Sequence, residues 1–267
     1  MATAGARLLF LAGFRVVVLE RERPLAVRRP VCFAEAVFCG ESVVEGVRAR
    51  RVTADRLAFV LGSGGVVPVL IDPEALALAT LEPEVLVEGR MTKTRIGLAR
   101  ADGALHIALG PGFVAGQDVH AVVETQRGPG LGRVIWNGSA EEDSGRPAPV
   151  LGVDEARVLR APRDGTFAGA ARIGDVVAAG VTVGDVDGEP VIAGTAGLLR
   201  GLIADGVPVS CGMKLGDVDP RGNAVDPAWI SDKARAVAAG VLEAVSVGLA
   251  RRADGVLACA GAREERR

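Results

Sequence analysis

The chain has 267 residues, 49% of them hydrophobic, enough for about two domains of ~100–200 residues with a sizeable core. A net charge of −2 gives no basic footprint for nucleic acid or an anionic membrane, and 3% aromatics with no Tyr leave no base-stacking platform. No uninterrupted apolar run reaches the ~18 residues of a membrane-spanning helix.

The opening "ARLLFLAGF" is a poor secretory signal, since only Arg7 supplies charge and "RVVVLE" follows directly. "FRVVVLE" (14–20) reads as a short β-branched strand buried on both faces, and "VVPVLID" (66–72), "EVLVEG" (84–89) and "LHIALG" (105–110) repeat its style. Between them, 29–38 and 72–81 read as helices, and "ESVVEGVRARRV" (41–52), with Glu45-Gly46 at its centre, reads as a small hairpin. Alternation of this kind predicts a mostly parallel α/β sheet over residues 1–150. Glu20, Asp72, Arg90 and the Gly110–Gly112 loop follow the ends of the strand candidates, where open α/β sheets bind ligands.

"LGPGFVAGQDVHAVVET" (109–125) supplies Gly110, Gly112 and Gly116, whose backbone N–H groups could face a phosphate, with Asp118 and His120 on one strand face beside them. The same residues equally suit a tight Gly-Pro-Gly turn with a surface histidine. Arg90, Lys93 and Arg95 form a basic turn that either holds an anion or is solvated. Cys32, Cys39, Cys211 and Cys259 form no CxxC pair and lie far in sequence from His106 and His120, which argues for reduced cytoplasmic thiols rather than a zinc site.

After the Gly/Pro/acid-rich stretch 137–152 the pattern changes. Residues 164–187 recur as 196–219: Gly165 matches Gly197, Gly174 matches Gly206, Val177 matches Val209, and Gly184-Asp-Val-Asp187 matches Gly216-Asp-Val-Asp219. Two copies of short strands with fixed turns predict an all-β domain over 151–222 that resembles a biotinyl/lipoyl-like barrel-sandwich hybrid. In such a domain the turn Asp187-Gly188-Glu189-Pro190 would present the modified lysine. The chain's three lysines, Lys93, Lys214 and Lys233, all lie elsewhere, so no covalent biotin or lipoate is expected there. "GDVDPRG" (216–222) adds Arg221, just outside the repeat. In the C-terminal part, 223–267, residues 231–252 read as a docking helix, with Ser231 as N-cap and Val237, Val241 and Val245 in its apolar stripe.

Several stretches together resemble one family: "RERPLAVRRPVCFAEAVF", "GRMTK", "ALGPGFVAGQDVHAVVETQRG", "LGRVIWNGSA", "GDVDPRG" and "ISDKARAVAAGVLEA". They are similar to the accessory proteins of selenium-dependent molybdenum hydroxylases, the YqeB family. The resemblance implies an XdhC-like, Rossmann-type half followed by the barrel-sandwich half. It also implies a maturation factor, leaning to non-enzymatic, that handles a molybdopterin-type cofactor for a client hydroxylase subunit. A phosphorylated ligand would be lined by Glu20, Arg90, Lys93, Gly110, Gly112, Gly116, Asp118, His120 and Arg221. Family members begin with a strand and glycine turn of the form "RGAGDLATG", to whose end "MATAG" corresponds, so the Rossmann-like sheet is expected to be N-terminally truncated, through a start placed downstream, the favoured reading, or through loss of dinucleotide-type binding. Pro129 stands where the family pattern has a histidine. A nucleotide-dependent oxidoreductase, with Glu20 on a ribose, and a non-catalytic protein-binding module are the alternatives.

Overall fold

The computed structural model describes residues 1–92, 101–143, 145 and 149–256. The chain folds as two compact units interleaved in sequence. One holds Met1–Val16, Asp72–Ser144 and Ile230–Arg267; the other holds Val17–Ile71 and Gly145–Trp229.

In chain order, α1 (Ala2–Leu11) belongs to the first unit and β1 (Val18–Glu20) to the second. Arg29–Val31 form a single 3-10 turn, and α2 (Glu35–Cys39) follows, so the helix expected over 29–38 is divided. β2 (Glu41–Val44) and β3 (Val47–Val52) form the expected antiparallel hairpin. Its turn residues Glu45 and Gly46 have φ of 43° and 84°, the paired positive values whose twist matches that of the strands. After α3 (Ala54–Ser63), β4 (Val67–Ile71) enters between β1 and β3 and runs parallel to both, giving the order β1-β4-β3-β2.

In the first unit the Asp72 carboxylate accepts the N–H groups of Leu76 (2.9 Å) and Ala77 (2.8 Å), while Ala75 takes a φ of 55°. A left-handed residue interrupts a right-handed helix, so only α4 (Leu78–Leu81) forms out of the expected 72–81. β5 (Val85–Glu88), β6 (Leu105–Leu109), the two-residue β7 (Val114–Ala115), β8 (Ala121–Val123), β9 (Val134–Ile135) and β10 (Gly138–Ser139) follow. The sheet has the order β5-β6-β8-β9, parallel except for its last ladder; β7 and β10 pair separately.

The single mostly parallel sheet expected over 1–150 is therefore corrected to two four-stranded mixed sheets. A strand offers two hydrogen-bonding edges. Those of β4 are filled by β1 and β3, and those of β6 by β5 and β8, so no ladder joins the two central strands.

The repeat, extended at the same offset to take in the residues just before each copy, forms eight strands: β11 (Val158–Arg160), β12 (Gly165–Gly169), β13 (Val176–Val177), β14 (Thr182–Val186), β15 (Glu189–Ile192), β16 (Gly197–Leu202), β17 (Pro208–Val209) and β18 (Lys214–Asp219). They build two four-stranded antiparallel sheets, β15-β14-β12-β17 and β11-β18-β16-β13. Each sheet takes its inner strands from one copy and its outer strands from the other. Phe167 and Leu199, at equivalent positions, are 1% and 0% exposed and share one core with Leu159, Val183, Ile203 and Leu215. The hairpin at Asp187-Gly188 (φ 47° and 85°) closes with the Gly188 N–H donating to Asp185 Oδ1 at 2.8 Å. Among the described residues no sheet closes into a barrel.

α5 (Asp232–Ala253) returns to the first unit. Ser231 Oγ accepts the Ala234 N–H at 3.2 Å, the expected cap, and Val237, Val241 and Val245 are buried in one cluster with Leu105 and Ile107 of β6. Gly240 lies against the Gly132 carbonyl and Gly248 against Leu105, where a β-carbon would collide with either. Among the described residues no helix is long and apolar enough to cross a membrane.

Candidate functional site

The nine residues expected to line a ligand site fall in different places. Glu20 and Arg221 lie in the second unit; Arg90, Gly110, Gly112, Gly116, Asp118 and His120 lie in the first; Lys93 lies outside the described residues. Glu20 ends β1, accepts the Arg21 N–H at 3.0 Å, and has its carboxyl pKa raised by burial, against the opposing pull of that hydrogen bond and of the Arg21 charge. Arg90 grips Glu88 through Nε, at 2.9 Å to each carboxylate oxygen, and through a second guanidinium nitrogen at 2.5 Å. Those hydrogen bonds hold the Arg90 pKa above its ordinary value.

The glycine loop turns its amides onto its own carbonyls. Gly110 donates to Val123 O (2.9 Å), Gly116 to Val119 O (2.8 Å) and Asp118 to Val114 O (2.8 Å), while Asp118 Oδ2 accepts the Val114 N–H at 2.9 Å. His120 Nδ1 accepts the His106 backbone N–H at 2.9 Å. These are the contacts of a folded turn, and they direct those three N–H groups away from any anion. Glu124, absent from the sequence-based set, is 4% exposed and ties the neighbouring segment together by accepting the N–H groups of Thr125, Gln126 and Glu141 at 2.7–2.8 Å.

The second unit concentrates charge elsewhere. Asp217 and Asp219 stand two apart on β18, so they share one face of the sheet. They are 7% and 2% exposed. Asp217 faces Arg157 and Lys214, each at 3.7 Å; Asp219 faces Arg200 at 3.2 Å and Arg221 at 2.7 Å. A fifth cation comes from the segment before α2. There the Val27 carbonyl accepts the Leu202 N–H at 2.8 Å, and Arg29 Nε donates to Leu202 O at 2.9 Å. Arg28, between them, runs alongside Gly201, where a β-carbon would lie 3.1 Å from both Arg28 Cδ and Asp217 Oδ1.

Burial and then the Arg200 charge draw the Arg28 pKa down to about 10, against the opposing pull of Asp217 and Asp219. Lys214 is lowered by burial too, and further by Arg157 and Arg160, against Asp217. Burial pushes Asp219 up, but hydrogen bonds from Arg221 and its charge, with Arg200, bring its pKa below the usual carboxylate value. The Nε atoms of Arg28 and Arg200 are shielded from solvent and make no hydrogen bond. Of these groups the sequence offered Arg221 as a candidate and Asp217 and Asp219 only as part of the repeat; Arg28 lay unmarked in a quoted stretch. Arg157 and Arg200 are isolated in sequence and gave no signal.

A mixed α/β protein with a duplicated β unit, carrying cations in excess of carboxylates, is what the fold and this site define. No protein-family model matches the chain. It is 44% identical over 246 residues, 92% of its length, to the "Uncharacterized protein YqeB" of Escherichia coli K12, and it spans 45% of that protein. The similarity supports the resemblance to YqeB. Among solved structures, an aspartoacylase family protein from Mesorhizobium loti is 17% identical over 24% of this chain and 22% of its own, with a TM-score of 0.22. The ectoine utilization protein EutE (DoeB) from Ruegeria pomeroyi is 12% identical over 76% and 84%, with a TM-score of 0.23. Superpositions at that level establish no common fold.

Proposed function

We propose that this chain is a cytoplasmic accessory factor in the maturation of a selenium-dependent molybdenum hydroxylase, and that it binds the molybdopterin-type cofactor by its anionic end. In this reading the two mixed sheets correspond to a rearranged Rossmann-type, XdhC-like portion. The duplicated β unit is a lysine-free relative of the barrel-sandwich hybrids, which docks the client subunit.

The observation that carries the proposal is the charge imbalance on β18, where Arg157, Arg200, Lys214 and Arg221 pair with only Asp217 and Asp219 and the Arg28 charge lies close by. Partly buried like charges are costly to assemble unless an anion offsets them. A phosphorylated cofactor fits that demand, and guanidinium groups suit its oxygens. Among the described residues no group of three His, Cys, Asp or Glu side chains is arranged to hold a metal ion, so the chain's own contacts would be to the organic part of the cofactor.

The test is to purify the chain with its client hydroxylase subunit and assay pterin and molybdenum. Retained pterin, lost in the Arg200→Gln variant, supports cofactor handling. Tight binding of a dinucleotide with no pterin retained would instead favour the nucleotide-dependent oxidoreductase, in which the partly buried Glu20 at the end of β1 would meet the ribose.

A further inference from the structure

The repeat contains its own control. Both copies carry Gly-Asp-Val-Asp, but they use it differently. In the first copy Asp185 Oδ1 accepts the Gly188 N–H (2.8 Å) and Asp187 Oδ1 accepts the Thr166 N–H (3.1 Å), so both aspartates serve backbone N–H groups. In the second copy the matching Asp217 and Asp219 are buried against cations. The first copy has Ala168 and Thr182 where the second has Arg200 and Lys214, and Glu189 stands one repeat from both Arg157 and Arg221. Strands and turns form without the cations. The strand fold therefore does not require them.

The backbone departs from the repeat at the same place. In the first copy β12 and β14 pair without interruption: Phe167 with Val186, Ala168 with Asp185, Gly169 with Gly184. In the second copy Leu199 pairs with Val218 as expected, but Gly201 then pairs with Asp217, and Arg200 is left as the extra residue of a bulge. A bulge re-aims a side chain, and this one sends Arg200 to Asp219. The cluster is open at one side and closed at the other: the side chains of Lys214 and Arg221 are 41% and 40% exposed, those of Arg157 and Arg200 only 14% and 17%.

We propose, resting on the cofactor-handling reading above, that this cluster is a receptor for a tetrahedral dianion, a terminal phosphomonoester or a free oxyanion, and that it discriminates against phosphodiesters. Five cations and two carboxylates leave three positive charges. A dianion offsets two of them, whereas a diester offsets one and brings a second substituent to a site closed at its rear. The Nε–H groups of Arg28 and Arg200, which no protein acceptor meets, are the donors such an anion would satisfy.

The experiment is calorimetric titration of the chain with inorganic phosphate, molybdate, a simple alkyl phosphomonoester and its diester. Wild type is compared with Arg28→Gln and Arg200→Gln, the fold of each being checked by circular dichroism. The expected result is that the monoester and at least one free oxyanion bind at least tenfold more tightly than the diester, and that both variants weaken them at least tenfold while remaining folded. Tighter monoester than oxyanion binding identifies an esterified ligand; the reverse identifies the free oxyanion. No saturable dianion binding by wild type, or binding unchanged in both folded variants, overturns the proposal. A parallel assay of hydroxylase activity separates the two readings. Dianion binding lost in Arg200→Gln with hydroxylase maturation intact leaves the receptor standing and removes the maturation role. Maturation lost in that variant although wild type binds no dianion removes the receptor alone.

Discussion

Leu202 donates its backbone N–H to Val27 and accepts from Arg29 Nε, so one residue of β16 clasps both neighbours of Arg28. The clasp holds an arginine from a segment far away in sequence beside β16, where its guanidinium donates to the Pro227 and Trp229 carbonyls at 3.3 Å and feels the charges of the β18 aspartates. Arg29 also meets Glu35 Oε1 at 3.0 Å, while Glu35 Oε2 is buried without a partner. Replacing Arg29 with Ala removes the clasp and leaves Glu35 without its cation. The expected cost is about 1–3 kcal/mol in urea unfolding, and Lys at this position restores less than half, because it cannot reproduce the fork that serves both acceptors.

Phe167 fills the space between the two sheets of the repeat, and Gly184 lies directly under its ring. Phe167→Ala is expected to destabilise the protein by about 3–5 kcal/mol, measured by chemical denaturation, because the sheets cannot close over the cavity. Gly184→Ala should also destabilise, since its β-carbon would press on both the ring and the Ala168 carbonyl.

Asp219 has a folded-state pKa below the ordinary carboxylate value. It therefore favours the folded state above the unfolded pKa of about 4, and that contribution is lost as pH falls through the folded value. The Asp219→Asn variant should be less stable than wild type near neutral pH, and the gap between their melting temperatures should close as the pH drops below about 4. A constant gap across that range would show that the carboxylate's charge is immaterial.

Gly240 packs on the Gly132 carbonyl and on Val123, where α5 approaches β8. Gly240→Ala raises helix propensity by about 1 kcal/mol in an exposed helix. Here the sign is expected to reverse, with net destabilisation read as a lower urea midpoint, because the added methyl group meets backbone. Ser231→Ala at the start of the same helix should cost about 1 kcal/mol through its lost cap.

The elements that local chemistry specifies were legible in the sequence. The Glu45-Gly46 turn, the Ser231 cap and the repeat all depend on residues a few positions apart, or on glycines and valines spaced by a fixed offset. The partition of parallel strands was not legible, since "VVPVLID" and "LHIALG" are equally apolar whichever neighbours they acquire. The stretch 72–81 suggested a helix, yet the Asp72 carboxylate and the positive φ of Ala75 made a turn first. The site was the least legible part. Arg157 and Arg200 meet the β18 aspartates, and Arg28 comes near them, only through tertiary structure, and Arg200 depends on a bulge that a sequence repeat conceals. Conversely, the glycines at 110 and 116 suggested a phosphate loop, but their amides turn inward.

The exchange of outer strands between the two copies makes them mutually dependent. A lone copy supplies the middle of one sheet and the borders of the other, and it buries neither. Deleting either copy therefore strips the centre of one sheet and the edges of the other. That mutual dependence constrains the strands but not the matching sites, for Lys214 and Arg200 with its bulge stand in the second copy alone.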